Sequence, residues 1–365
     1  MKKKALFALR VCGWLIIALV TLEVCARIED KIRYGAPFFA SYSIENLYQY
    51  DSLGKYGRPN ASYLKWHLNG LGYRGPELRT GTYRIACIGA SETFGQFESH
   101  GNEWPRQLES ILNQRAGDQH YEVVNVSYMG MSLATTVKRF PQILSTVQPR
   151  IAVIYPSYTP YIEINHPFDP KSPLPRLTPA QSKAQHFELR LSDRVQTFMK
   201  TVLPETLQHW LRAGQTKHDT LAANAMDSLP EQNVQAFKSD LDTLTRQFLA
   251  NGVQVILVTH ANRFGSKLNP ADAPYLVDWR KFYPSLKEQG LLDMEHRMSE
   301  SVRQIGASRS VPVVDAATLI APGGGNFAEF VHFNDAGAHA LATIVADQIN
   351  RDASTSAANI HITHQ

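Results

Sequence analysis

The chain has 365 residues, 44% of them hydrophobic and 19% charged, with 37 Lys+Arg against 33 Asp+Glu and a formal net charge of +4. This composition excludes a disordered polyanion, a collagen-like fibre and a polytopic membrane protein, and the length suits one large α/β domain with additions. No dense Lys/Arg block follows the first few residues, so there is no electrostatic footprint for nucleic acid and no such partner is expected. The three cysteines, Cys12, Cys25 and Cys87, make neither a disulfide framework nor a metal-ligand spacing, and neither a metal nor a cofactor is expected.

Lys2, Lys3, Lys4 and Arg10 precede the apolar run Val11 to Leu22, inside a looser apolar span from Ala5 to Ala26 that Arg10 and Glu23 interrupt. This pattern predicts a signal anchor, a transmembrane helix over residues 1–27, in preference to a signal peptide cleaved after Ala26. The lysines ahead of the span put the bulk of the chain on the outer face. In a Gram-negative cell that makes it a single-pass protein of the inner membrane with a periplasmic domain.

Residues 28–82 are rich in Tyr, Gly and Asn without a sustained helical period and read as an irregular arm. From Tyr83 onward, short β-rich apolar runs alternate with helical patterns. The runs are Arg84 to Gly89, Tyr121 to Ser127, Arg150 to Ser157, Val253 to His260 and Val311 to Ala316. The helical stretches are Glu103 to Gln114, Leu133 to Val147, Glu231 to Ala250, Gly290 to Ile305 and Asn334 to Asn350. Apolar strands alternating with amphipathic helices predict an α/β fold, a doubly wound parallel sheet of about five strands, over residues 83–352. An insertion over 158–230 carries Pro160, Pro167, Pro170, Pro173, Pro175, Pro179 and Pro204 and leaves from a carboxyl end of the sheet, where it suits a lid or a plain surface loop. Residues 353–365 read as a disordered tail.

Two segments carry the chemistry. After the first strand comes Gly89-Ala90-Ser91-Glu92-Thr93-Phe94-Gly95, which brings a serine hydroxyl to the active edge of a parallel sheet, close to backbone N–H groups able to face an oxyanion. Before the last helix comes Ala328-Glu329-Phe330-Val331-His332-Phe333-Asn334-Asp335, with a histidine three residues after a carboxylate. There His332 can take a proton from Ser91 while Glu329 orients the ring. His260, ending the fourth strand, is a rival base, and Asp315, ending the fifth, a rival orienter; Asn334 and Asp335 suit capping of the final helix.

On these segments the sequence resembles the SGNH (GDSL-like) hydrolase superfamily, in particular membrane-anchored bacterial members associated with polysaccharide modification. The resemblance runs from Leu68 to about Asn350 and opens with a leader, Asn69-Gly70-Leu71-Gly72-Tyr73-Arg74-Gly75-Pro76-Glu77. It implies a flavodoxin-like sheet, Ser91 as nucleophile although the usual acidic residue before it is Ala90, and His332 with Glu329 in place of the usual Asp-x-x-His pair. It further implies that Gly130, in Asn125-Val126-Ser127-Tyr128-Met129-Gly130, joins the backbone N–H of Ser91 in the oxyanion hole. The asparagine that normally ends the third block is missing from Ile154-Tyr155-Pro156-Ser157-Tyr158-Thr159, and Ser157, Tyr158 and Asn165 all stay open as substitutes. The implied activity is that of a serine esterase removing an acyl group, acetyl in the first place, from a cell-surface or exported saccharide. An O-acetyltransferase acting on exopolysaccharide, a catalytically weak glycan-binding module and a lipase-like enzyme are the alternatives, with the membrane and polysaccharide-assembly proteins as further partners.

Overall fold

The computed structural model describes residues 2–40, 42–117, 120–162, 190–191, 194, 225–265 and 268–362. Its contacts divide the chain into two compact units, one made of residues 1–48, 61–65 and 172–217, the other of residues 49–60, 66–171 and 218–365. Most of the Pro-rich insertion, including Asn165, lies outside the described residues.

In the first unit, helix α1 (Lys2–Tyr34) contains a stretch, Arg10–Tyr34, of 25 residues in which an 18-residue window has mean hydropathy 2.0, long and apolar enough to cross a membrane. The helix continues seven residues beyond the expected end of the anchor at residue 27, because its later charges are paired. Arg27 Nε donates to Glu23 at 2.7 Å, and the Glu23 carboxylate accepts the backbone N–H groups of Arg190 (3.2 Å) and Leu191 (2.9 Å). Arg190 also reaches Asp30 at 3.4 Å, so Glu23 and Asp30 of α1 hold a piece of the insertion.

The second unit begins with small strands, β1 (Tyr48–Asp51) paired with β2 (Gly54–Gly57), then β3 (Ser62–Tyr63), which belongs to the first unit, and β4 (Trp66–His67). Residues 49–60 and 66–82, read from sequence as part of an irregular arm, thus go with the sheet domain and include short strands. The central sheet is built from β5 (Tyr83–Ile88), β6 (Tyr121–Asn125), β7 (Ile151–Ile154), β8 (Gln254–Val258) and β9 (Val313–Val314). Its order is β6-β5-β7-β8-β9 and each neighbouring pair is parallel. This is the five-stranded doubly wound arrangement expected from the alternation. In chain order it reads 2-1-3-4-5, so the direction of winding reverses between β5 and β7, where such sheets bind ligands.

Strands covered on both faces must be apolar at both parities. Ile85 and Cys87 join a core with Trp104, Leu108, Tyr155, Phe333 and Val345, while Ala86 and Ile88, facing the other way, are equally buried. Helix α2 (Ser91–Phe94) and helix α3 (Trp104–Arg115) follow β5, α4 (Leu133–Val147) follows β6, and α5 (Glu231–Ala250) precedes β8. Helix α6 (Ala273–Phe282), which the sequence pattern did not reveal, is followed by α7 (Glu288–Arg309), the short α8 (Ala316–Leu319) and α9 (Asp335–Ile362). The last helix runs through residues 353–362, expected to be disordered. Ala353, Ala357 and Ala358 are strong helix formers, and extending an existing helix avoids the cost of nucleating a new one.

Candidate active site

Ser91 is the first residue of the four-residue helix α2, immediately beyond the carboxyl end of β5. Gly89 makes that tight exit. A Cβ placed there would stand 2.6 Å from the Tyr155 carbonyl oxygen and 2.1 Å from Thr93 Oγ1, so the turn lies directly against the end of β7. The turn closes through Phe94 N–H to Ala90 O at 2.8 Å and Gly95 N–H to Ser91 O at 3.0 Å.

His332 stands in the loop before α9. Phe327 and Phe333 bridge this loop in antiparallel fashion with their rings 5.1 Å apart, and Ala328 N–H donates to His332 O at 2.9 Å. Phe330 is stacked on Trp279 of α6 (5.7 Å), which is stacked in turn on Phe264 (5.7 Å). The loop is also tied to the segment after the serine turn. The Asp335 carboxylate accepts from Ser99 N–H (2.7 Å) and Asn102 Nδ2 (2.9 Å), leaving Asn334 Oδ1 to cap α9 through Gly337 N–H at 3.0 Å.

Within this loop His332 Nδ1 is hydrogen-bonded to the Glu329 carboxylate, and Nε2 is buried with no hydrogen-bond partner among the described residues. The Phe97 ring lies 5.3 Å from the imidazole. Burial alone would lower the His332 pKa, but the Glu329 hydrogen bond and the charges of Glu92, Glu329 and Glu98 overcome it and raise the pKa. A carboxylate-held ring with its second nitrogen open is the arrangement a general base requires.

Glu92, quoted in the serine block but given no role from sequence, proves central. It is 2% exposed, and its Oε2 accepts the Ser91 hydroxyl at 3.3 Å. Its Oε1 accepts Ser157 Oγ at 3.2 Å and faces His260 Nε2 at 3.4 Å. On its other side His260 bonds through Nδ1 to Glu295 Oε2 of α7 at 2.9 Å, and the side chain is 0% exposed. Burial would push the His260 pKa down, yet the charge of Glu295 and the hydrogen bonds from Glu295 and Glu92 raise it to about 10. Burial likewise opposes ionisation of Glu92, and the His260 hydrogen bond and charge win, taking its pKa down to about 2. His260 is therefore an imidazolium at neutral pH, engaged at both nitrogens, and has no lone pair with which to act as base. Asp315 is equally removed from the role of orienter, since Arg303 Nη2 (2.9 Å) and Thr259 Oγ1 (2.8 Å) occupy it.

Gly130 occupies an exposed turn beyond β6 with φ +76°, a conformation that glycine adopts without strain, and no hydrogen bond joins it to Ser91. Of the third-block candidates, Ser157 donates to Glu92. The Tyr158 hydroxyl bonds Ser299 Oγ at 3.0 Å and accepts the His260 N–H at 3.1 Å. Neither is left to face an oxyanion. Among the described residues no group of three or more His, Cys, Asp or Glu side chains is arranged to hold a metal ion.

No family model and no curated protein matches the chain. Solved structures similar to it include a lipase/acylhydrolase from Enterococcus faecalis, at 15% identity and a TM-score of 0.42, covering 73% of this chain and 95% of that one. A variant of an acetyl xylan esterase from Geobacillus stearothermophilus is 13% identical with a TM-score of 0.44, covering 74% and 97%. A member of the lipolytic G-D-S-L family from Veillonella parvula is 12% identical with a TM-score of 0.41, covering 73% and 98%.

Proposed function

We propose that this chain is an SGNH-type serine esterase that removes an acyl group, acetyl in the first place, from an exported or cell-surface saccharide. The observation that carries the reading is the His332 ring, held at Nδ1 by Glu329 and open at a buried Nε2, in a loop stitched to the segment that follows Ser91. In this mechanism Ser91 Oγ leaves Glu92, attacks the ester carbonyl carbon and passes its proton to Nε2. The carbonyl electron pair becomes an oxyanion facing the backbone N–H groups of Ser91 and Gly130. Collapse expels the sugar alkoxide, which takes the proton from His332, and a water deprotonated by His332 then releases the carboxylic acid and restores the serine. An acceptor sugar hydroxyl in place of that water gives the O-acetyltransferase alternative. The apolar span of α1 and the lysines ahead of it support an inner-membrane anchor with the sheet domain in the periplasm, close to polysaccharide-assembly proteins.

A second reading, a catalytically weak glycan-binding module, draws on one observation: the Glu92 carboxylate engages both Ser91 and Ser157, where the family offers an asparagine donor. Loss of one oxyanion donor lowers kcat by about 100- to 1,000-fold. The test is acetate release from acetylated saccharides by the parent and Ser91→Ala, with and without acceptor sugar. Serine-dependent release supports the esterase, transfer to acceptor supports the transferase, and glycan binding without turnover in either protein supports the module.

A further inference from the structure

The leader Asn69 to Glu77 precedes the first strand of the sheet and has no part in the chemistry above, yet its arginine reaches the serine turn. Arg74 is 5% exposed. Its Nη1 donates to the carbonyl oxygens of Phe94 and Gly95, the latter at 2.7 Å, and Nη2 pairs with Glu103 Oε2 at 2.9 Å. The guanidinium carbon lies 5.0 Å from the centroid of the Phe94 ring. Two further side chains act on the same short stretch. Trp66 Nε1 donates to Gly95 O at 3.2 Å, and Asn125 Nδ2 donates to Thr93 O at 2.8 Å. Arg74 N–H donates in turn to Asn125 O at 3.1 Å, so the leader is pinned to the end of β6.

The physical problem being solved is that of a helix too short to satisfy itself. The last carbonyls of any helix lack intrahelical partners, and in a four-residue helix they make up most of the element. In the buried setting of Thr93 and Phe94, both 0% exposed, those oxygens need donors other than water. A guanidinium supplies several N–H groups in a fixed plane together with positive charge at the helix carboxyl end. Glu103, at the start of α3, compensates the charge, which could not otherwise be buried.

We propose that Arg74, backed by Trp66 and Asn125, is a positioning residue for Ser91: it fixes the carboxyl end of the serine turn and, through the Gly95 N–H to Ser91 O bond, the place from which the hydroxyl attacks. The proposal rests on Ser91 being the nucleophile. It makes residues 66–74 part of the catalytic apparatus, although they precede the sheet in sequence.

The test uses the full chain in detergent. Inactivation by a fluorophosphonate is followed by intact mass over a range of reagent concentrations, for the parent, Arg74→Lys and Trp66→Phe, alongside thermal midpoints and amide hydrogen exchange. Lysine keeps the charge beside Glu103 but cannot span both carbonyls. Arg74→Lys is expected to lower the limiting rate of Ser91 labelling by about 10- to 100-fold, the scale of a displacement of up to about 1 Å, with half-saturation unchanged. Exchange is expected to rise in the peptide spanning 88–97 and nowhere else. If the lysine variant does not fold, Trp66→Phe, which withdraws a single donor from Gly95 O, carries the same test with a smaller loss. Labelling of a folded variant at the parent rate overturns the proposal, as does faster exchange throughout the sheet domain, which would make the role one of general stability. A parent that takes no label removes the serine reading itself, and this failure is seen in the parent and not in the variants.

Discussion

The buried charge trio is the most exposed to experiment. His260 stands between Glu92 and Glu295, at 3.4 and 2.9 Å, with side chains 0, 2 and 5% exposed respectively. His260→Leu would leave two buried carboxylates facing each other with no cation between them. Breaking a buried ion pair by removing one partner costs about 3–5 kcal/mol, and two carboxylates lose their cation here, so the upper end is expected at pH 6.5. For a domain of this size that corresponds to a fall in Tm of about 10–15 °C. The pH dependence separates this from loss of packing. With the imidazolium gone, burial and the repulsion from Glu295 raise the folded-state pKa of Glu92 above its ordinary value, so the folded variant gains a proton and relative stability as pH falls. Between pH 5 and pH 6.5, where the parent's own contributions stay constant, the deficit against the parent should therefore grow with pH. In the parent the loss with rising pH begins only above 6.5. The raised His260 pKa contributes stability in full below 6.5, lost as pH rises through about 10, and the lowered Glu92 pKa contributes stability above 4.5, lost as pH falls through about 2. The assay is thermal unfolding of both proteins in detergent from pH 5 to pH 6.5. A deficit that does not change over that range, or a Tm within about 2 °C of the parent at pH 6.5, would refute the charged trio.

Ser91→Ala should abolish fluorophosphonate labelling and ester cleavage, and Glu329→Gln should lower kcat by up to about 10,000-fold while leaving the fold intact, as measured by ester turnover and circular dichroism. Because His332 must be neutral to act and its pKa is raised, the acid limb of kcat/KM should lie above pH 6.5. In Glu98→Gln, which withdraws one of the charges raising that pKa, the limb should move to lower pH; an unchanged limb would mean that another group titrates. Gly89→Ala places a methyl 2.6 Å from the Tyr155 carbonyl oxygen and should destabilise the domain by about 1–3 kcal/mol in urea unfolding and slow Ser91 labelling.

Much of this protein could be read without a structure, because it is encoded locally. Each sheet strand is a short apolar run bounded by turn residues, and the long helices between them carry their own periodicity, so the succession of elements and the fold class followed from alternation, while the strand order did not. Ser91 stood out through the small residues just before it at the end of a strand, and Glu329 with His332 through a spacing of three, which a single loop can close. Even the final helix was legible as far as residue 350, and its extension to Ile362 was missed because Ser and Thr dilute its alanines.

Only the tertiary structure assigned the remaining charges. Glu92 and Glu295 are carboxylates of the kind that normally face solvent, and 203 positions separate them; nothing in their neighbours shows that His260 lies between them. The same holds for Arg74 and Glu103, which bracket the serine turn from opposite sides in sequence and meet in the core. Periodicity tells which residues leave water, since that depends on the apolar pattern of one element. It does not tell which buried charges meet, because that depends on how separate elements pack, and burial turns a carboxylate beside a serine from a solvated side chain into one that must find a partner.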